Sequence, residues 1–144
     1  PDNKTLIIDY NGNMSIVTDG TISGAELLNR GVWQSWSFGP PLVENGKANK
    51  IETNVSKSVN NPRMAIGQLG PLHYLVVAVD GRTEISPGMT FPQLQQIFLE
   101  WGAITAYNLD GGGTATMWFN GKLVNNPTDG NKIGERHISD IIYL

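Results

Sequence analysis

Apolar residues in this chain fall in short runs separated by turn-forming pairs, a pattern of many strands and few helices. Thr5 to Tyr10 is a β-branched apolar run, followed by Asn11-Gly12 and then Met14 to Val17. Asn-Gly tolerates the positive φ angles of a type I′ turn, so a hairpin is expected there. Ser23-Gly24-Ala25-Glu26 has the spacing of a capping box, and Gly31 stands where a C-terminal cap glycine would. Together they predict a short helix over Ala25 to Arg30. Val32 to Phe38 alternates Trp33, Ser35 and Ser37 with Gln34, Trp36 and Phe38, a strand with two unlike faces. Leu42 to Lys47 reads as a strand end and turn, and the polar stretch Lys50 to Asn60 as a surface loop.

In the second half, Ala65 to Gln68 and Tyr74 to Asp80 predict another hairpin. Its second strand is uniformly apolar and is expected to be buried on both faces. Thr90 and Gln93 repeat the capping-box spacing, with Pro92 in the first turn where its missing N–H is harmless. The helix Phe91 to Trp101 would place Leu94, Ile97, Phe98 and Trp101 on one face and end at Gly102. Ala106 to Leu109 predicts a buried strand that runs into Asp110. Thr116 to Phe119, Asn120-Gly121 and Lys122 to Val124 give the clearest hairpin. A polar loop follows, and Ile138 to Leu144 closes the chain as a last strand. No internal repeat is present. The class is α+β: a strand-rich mixed sheet with two short helices.

Composition narrows the partners. The 144 residues amount to one domain, long enough to bury a core without disulfides or a structural metal. Charged residues make up only 16% of the chain and the net charge is -3, so there is no electrostatic footprint for DNA or RNA. The longest apolar run, Tyr74 to Val79, is far too short to cross a bilayer, and no membrane partner is expected. The absence of cysteine excludes a thiol nucleophile and any Cys-ligated zinc, and is compatible with export. Beginning at Pro1 with no initiator Met, the chain reads as a piece of something longer.

The densest chemistry lies at Asn108 to Thr116. A strand ends in a carboxylate, Asp110, followed by Gly111, Gly112 and Gly113 and the hydroxyls of Thr114 and Thr116. Glycines let the backbone approach a ligand, and their successive N–H groups can cradle phosphate oxygens. The plain alternative is an Asp-Gly turn with spare glycine, and no lysine follows to make a Walker motif. Asn61-Pro62-Arg63 places a planar guanidinium at a strand start, suited to an anion unless it is an ordinary solvated arginine. Asp80-Gly81-Arg82 ends an apolar strand, and the loop Asn125 to Arg136 carries Asp129, Glu135 and Arg136. His73 and His137 match no zinc spacing, and no serine lies in a G-x-S-x-G elbow. The four tryptophans read more readily as core than as sugar platforms. Carboxylates, arginines and glycine turns at several strand ends suit a small, polar, anionic ligand in a cleft.

NLDGGGTATM at Asn108 to Met117 resembles the phosphodiester glycosidase family. So do SFGPPLVENGK at Ser37 to Lys47, NPRMAIGQ at Asn61 to Gln68 and VVAVDGR at Val76 to Arg82. SPGMTFPQL at Ser86 to Leu94, NGKLVNNPTDG at Asn120 to Gly130 and GERHISD at Gly134 to Asp140 continue the family's order. The chain departs from the pattern at Met64, where Thr is frequent, at Asn126, where Arg is common, and at His137, where Pro is common. An Asn-Gly-Gly-aromatic segment that the family carries further upstream is not found. Residues 1–144 thus read as a phosphodiester glycosidase-like domain lacking an N-terminal portion, and that segment of the same protein is an expected partner of the site.

The resemblance implies hydrolysis of the glycosidic C1–O bond of a sugar-1-phosphodiester, with release of free sugar. The substrate class is an N-acetylglucosamine-1-phosphate diester or a related phosphoglycan such as an exopolysaccharide, handled outside the cytoplasm. A phosphate monoester leaves more readily than a sugar hydroxyl, so steadying the phosphate and the oxocarbenium-like carbon matters more than a general acid. Arg63 and Arg136 are the candidates for the phosphate, with Gly111, Gly112, Gly113, Thr114 and Thr116 in the adjoining turn. Asn61, Arg82 and Asn108 support them. Asp110 is the candidate carboxylate near C1, as nucleophile or as base for water, Glu135 the second carboxylate, with Asp80 and Asp129 behind it. Two alternatives stand beside this: a non-catalytic module that binds a phosphoglycan or cell-wall glycan, and a vestigial cleft in a larger surface assembly. Calcium would suit the oxygens of Asp80, Asp110 and Asp129, but their spacing gives no ligand count and no metal is assigned.

Overall fold

The computed structural model describes residues 3–51 and 59–143. The strands β1 (Lys4–Asp9), β2 (Met14–Thr18) and β3 (Val32–Trp36) form a three-stranded sheet in the order β2-β1-β3. The helix α1 (Gly24–Asn29) joins β2 to β3, with Ser23 Oγ accepting the Glu26 N–H at its start. A second sheet collects β4 (Pro41–Glu44), β5 (Lys47–Ala48), β6 (Arg63–Gly70), β7 (His73–Val79) and β8 (Thr105–Leu109), in the order β5-β4-β8-β6-β7. Between β7 and β8 runs the helix α2 (Phe91–Glu100). After β8 come a single 3-10 turn over Gly112–Thr114 and two small ribbons, β9 (Trp118–Phe119) with β10 (Lys122–Leu123) and β11 (Thr128–Asp129) with β12 (Lys132–Ile133). The α+β class holds; every strand pairing among the described residues is antiparallel, where a mixed sheet was expected.

The two sheets and α2 stack as three layers, and the period of two along β6 and β8 explains how. Ile66 and Tyr107 face the first sheet and pack with Leu6, Ile8 and Met14. Ala65 and Ala106 face the other way, under Leu94 and Phe98 of α2. Gly67 shares that second face, and a Cβ there would lie 2.6 Å from Phe98 Cδ1, so its missing side chain lets the helix settle on the sheet. Polar side chains tie the two sheets together. Gln68 Oε1 accepts the Met14 N–H at 2.8 Å and its Nε2 donates to Gly12 O at 3.2 Å. The Tyr107 hydroxyl donates to Lys4 O at 2.6 Å and accepts the Phe38 N–H at 2.9 Å. Burial holds that phenol above its ordinary pKa.

Several expectations are corrected. The uniformly apolar strand is β7, which is the outermost strand of its sheet and half-buried, with Val76 36% exposed. Its neighbour β6, flanked on both sides, is the buried strand. An apolar run alone does not separate an edge from a centre. The helix α2 buries Phe91, Leu94 and Phe98 rather than reaching as far as Trp101. Gln95 pulls this face inward by donating to Leu42 O and Asn49 O, while Trp101 lies at the C-cap, beyond the packed turn. Trp33, Trp101 and Trp118 are all exposed, against the expectation of core tryptophans. Residues 138–143 form no strand: Ile142 touches the core between the sheets while Ile141 and Tyr143 are exposed. Leu144, and residues 52–58 of the expected surface loop, lie outside the described residues. Asn120 and Gly121 take the positive φ angles of the expected turn. The first hairpin turns differently, around Asp9, whose carboxylate accepts the N–H groups of Asn11 at 2.8 Å and Asn13 at 2.9 Å. These bonds hold the Asp9 carboxyl below its ordinary pKa. Among the described residues no helix is long and apolar enough to cross a membrane.

Candidate functional site

Three strand ends meet at one corner of the larger sheet. Arg63 opens β6 and pairs with Val79 at the end of β7, while Met64 pairs with Leu109 at the end of β8. The antiparallel register therefore brings Asn61-Pro62-Arg63, Asp80-Gly81-Arg82 and Asp110-Gly111 side by side, although they are far apart in the chain. An isolated bridge between Asn61 and Met89 and the bond from Thr128 Oγ1 to Gly81 O fasten the surrounding loops.

Each of the three consecutive glycines is required by a different close approach. A Cβ on Gly111 would lie 2.3 Å from Pro62 O, and one on Gly112 2.9 Å from the Arg82 guanidinium. On Gly113 it would lie 2.9 Å from the Cβ atoms of both Arg136 and Asp129. Gly112 also has φ +72°, which disfavours any side chain. The glycines thus let two arginines and Pro62, just before β6, close in around Asp110. The hydroxyls of the turn face inward, Thr114 Oγ1 donating to Gly111 O at 2.9 Å and Thr116 Oγ1 to Gly113 O at 3.5 Å.

What they enclose is a polar cavity of about 220 Å³, bordered by Asp110 and Gly111, by Asn61, Pro62 and Arg63, by Arg82 and Arg136, and by Phe38, Asn108 and Leu109. It is smaller than the roughly 300–1,000 Å³ of ordinary small-molecule pockets, so it suits one charged group and the edge of a ring. Asp110 Oδ2 accepts from Arg136 Nη2 at 2.8 Å and Oδ1 from the Gly111 N–H at 2.8 Å. Arg136 Nη1 also reaches Asp129 Oδ1 at 3.4 Å. Arg82, at φ +62°, donates to Thr128 O at 3.3 Å and Asn61 Oδ1 at 3.5 Å, both neutral acceptors. Arg63 is buried: its Nε donates to Met89 O at 3.0 Å, Nη2 to Val59 O at 3.1 Å, and its guanidinium lies 3.8 Å from the centre of the Phe91 ring. Burial first, and the Arg82 charge second, lower its pKa. Asn108, 1% exposed, donates through Nδ2 to Gly39 O at 2.7 Å.

The chain has four arginines, Arg30, Arg63, Arg82 and Arg136; three of them border this cavity, and none of the described lysines lines it. Of the expected residues, Asn61, Arg63, Arg82, Asn108, Asp110, Gly111 and Arg136 come together there. Others stand outside the wall. Asp80 anchors a loop, its Oδ1 accepting the Asn126 N–H at 2.7 Å. Asp129 reaches the site only through Arg136, and Glu135 is exposed. Gly112, Gly113, Thr114 and Thr116 shape the turn beneath the cavity rather than line it. Among the described residues no three His, Asp or Glu side chains cluster as metal ligands, so Asp80, Asp110 and Asp129 do not gather for calcium. Phe38 was missed; it borders the cavity and is 58% exposed. Its signal in the sequence was an aromatic residue just before Gly39-Pro40-Pro41, where the chain turns sharply into β4.

A larger groove, about 600 Å³ and mostly apolar, lies between the sheets beside Trp33, Leu72 and Tyr74. Its one carboxylate, Asp9, is occupied by the turn described above. It holds no comparable set of charged groups.

The chain matches the phosphodiester glycosidase family over residues 2–144. It is 34% identical over 135 residues to YomE, a SPbeta prophage-derived uncharacterized protein of Bacillus subtilis (strain 168), covering 92% of this chain and 20% of that protein. It is 31% identical over 131 residues to the N-acetylglucosamine-1-phosphodiester alpha-N-acetylglucosaminidase of Bos taurus, covering 87% of this chain and 24% of that one. Among solved structures it resembles the catalytic domain of the zebrafish N-acetylglucosamine-1-phosphodiester alpha-N-acetylglucosaminidase, auto-inhibited by its pro-peptide. That likeness has a TM-score of 0.69 and 25% identity, over 89% of this chain and 46% of that chain. The chain therefore spans about a fifth to a quarter of the length of the curated relatives it matches. Matched along nearly all of its own residues, this chain belongs to the phosphodiester glycosidase family.

Proposed function

We propose that the cavity holds a sugar-1-phosphodiester and that the protein hydrolyses its C1–O bond. Water adds at C1, the C1–O bond breaks, and the products are a free sugar and a phosphate monoester. The observation that carries the reading is the gathering of three of the chain's four arginines around one carboxylate. Guanidinium groups match the non-bridging oxygens of a phosphate in planar, two-pronged fashion. Arg82 and Arg136 are the readiest to do so, since Arg63 is buried against backbone carbonyls and the Phe91 ring. Arg63 contributes its charge from behind. Asp110 acts at C1, as nucleophile or as base for the water, once the phosphate has drawn Arg136 from it. The leaving phosphate needs little protonation, so the exposed position of Glu135 is no obstacle. The substrate is an N-acetylglucosamine-1-phosphate diester or a related phosphoglycan, met outside the cytoplasm.

One observation favours the alternative of a binding module: both oxygens of Asp110 are engaged, by Arg136 and by the Gly111 N–H. Incubation with N-acetylglucosamine-1-phosphodiesters, with release of sugar as the readout, separates the two. Asp110→Asn should lower kcat by about 10²- to 10⁴-fold, the range for removing an acid–base group. Near-normal turnover by Asp110→Asn would remove the assigned carboxylate, and saturable binding without release would make the protein a phosphoglycan-binding module.

A further inference from the structure

Asn108 has a buried polar atom that the reading above does not use. Its Oδ1 is the one buried side-chain nitrogen or oxygen among the described residues without a hydrogen-bond partner. The orientation of the amide follows from chemistry. Gly39 O only accepts, so the NH₂ group must face it, and the oxygen is left on the other side. An unpaired buried acceptor weakens the folded state, and a leucine of similar size would avoid that penalty. Bracing Gly39 requires only the donor half of the side chain. The acceptor half therefore calls for another partner, and Asn108 borders the same cavity as Asp110, Arg82 and Arg136.

The guanidinium groups of that cavity can only donate, which suits an anion. An acceptor on a residue that borders the same cavity suits a ligand with a donor one or two bonds' reach from its anionic group. A sugar 1-phosphate has this arrangement, because ring hydroxyls or an acylamino N–H flank the anomeric carbon. We propose that Asn108 is a specificity-determining residue, whose Oδ1 accepts a hydrogen bond from an O–H or N–H donor on the sugar ring; this rests on the sugar-1-phosphodiester reading. The ring is selected by the hydroxyl pattern on one side, and the phosphate end by charge.

The test is a panel of methyl diesters of glucose 1-phosphate and N-acetylglucosamine 1-phosphate, with analogues in which each ring donor in turn is replaced by hydrogen or by fluorine. Fluorine keeps the size and polarity of a hydroxyl but cannot donate. Both kcat and KM are measured for the chain and for Asn108→Leu, and calorimetric affinities replace them if a diester binds without turnover. At one ring position both replacements should lower kcat/KM by about 10- to 100-fold, as expected for a buried partner left unpaired. In Asn108→Leu that penalty should shrink to within a few-fold of the intact sugar. The Asn108 side-chain Cγ resonance of the unmutated chain should shift with the parent diester and not with the analogue, a readout that stands even if the variant does not fold. Equal handling of every analogue, or an unmoved Asn108 resonance, would overturn the assignment while leaving the hydrolase reading intact. If the chain neither binds nor cleaves any member of the panel, both fall together.

Discussion

Gly111→Ala tests directly how the cavity is built. Gly111 has φ -120° and ψ -171°, extended backbone that any residue adopts, so alanine meets no conformational penalty there. Space opposes it instead. The new Cβ would lie 2.3 Å from Pro62 O and 3.2 Å from Pro62 C, both backbone atoms leading into β6. They cannot swing aside as a side chain can, because Arg63 and Met64 are already locked to β7 and β8. Restoring ordinary contact requires the two segments to part by about 1 Å. Overpacking of this kind costs about 1–3 kcal/mol, and the stiffer unfolded chain of alanine returns about 0.4–1 kcal/mol. A net loss near the middle, about 1.3 kcal/mol, lowers the urea midpoint by about 0.7 M for an m-value of about 2 kcal/mol/M. Gly24→Ala is the control: nothing lies within 4 Å of its Cβ position and it opens α1, so its midpoint should match or exceed that of the unmutated chain. Activity should fall further than stability, since a misplacement of about 1 Å at a reacting centre costs about 100-fold. A midpoint for Gly111→Ala equal to that of the unmutated chain would refute the argument from Pro62.

Three further outcomes can be checked separately. Gln68→Leu leaves the Met14 N–H without its acceptor and removes the donor to Gly12 O, so it should lower stability by about 1–3 kcal/mol in chemical denaturation. Arg82→Gln, at an exposed residue whose partners are neutral oxygens, should raise KM for a phosphodiester by about 10-fold or more with the melting temperature nearly unchanged. Asp9 has a folded-state pKa below its unfolded value, so its contribution is present above the unfolded pKa and is lost as pH falls through the folded one. Asp9→Asn should therefore be less stable than the unmutated chain at neutral pH and converge toward it in acid. Parallel stability–pH curves would show that the Asp9 turn contributes nothing.

Local signals in the sequence carried further than those that depend on neighbours. The capping box at Thr90 and Gln93 forms, because both partners lie within one turn and need nothing else. Asn120-Gly121 turns as its φ preferences demand. Strand rank within the sheet was not legible. The run Tyr74 to Val79 is more uniformly apolar than Arg63 to Gly70, yet only the latter is an interior strand, because that rank is decided by which strands pair on either side. The tryptophans misled for a related reason: period and composition report that a residue is apolar, not whether a second layer covers it. In the site, the DGGG run was visible, but its purpose was not. The glycines make room for Pro62, Arg82, Arg136 and Asp129, residues up to about 50 positions away, and those distances exist only after folding.

The cavity also shows why whole-chain charge is a poor guide to a ligand. A net charge of -3 argues against an anionic partner only if charge is spread evenly. Here three of the ten Lys and Arg residues gather where three strand ends converge, and a screening length of about 8 Å at physiological ionic strength hides most of the distant carboxylates from that point. What an incoming phosphate meets is local: the guanidinium groups of Arg82 and Arg136 at the wall, that of Arg63 behind, and one carboxylate. Arg136 is bonded to that carboxylate in the structure, so an anion must compete with Asp110 for it. The competition has a chemical consequence. On the proposed function, the group that draws Arg136 from Asp110 would be the same phosphodiester that needs the freed carboxylate, so binding charge and exposing the base would become one event. On that reading the Arg136–Asp110 ion pair would hold the carboxylate oriented until a substrate with the right charge displaced it.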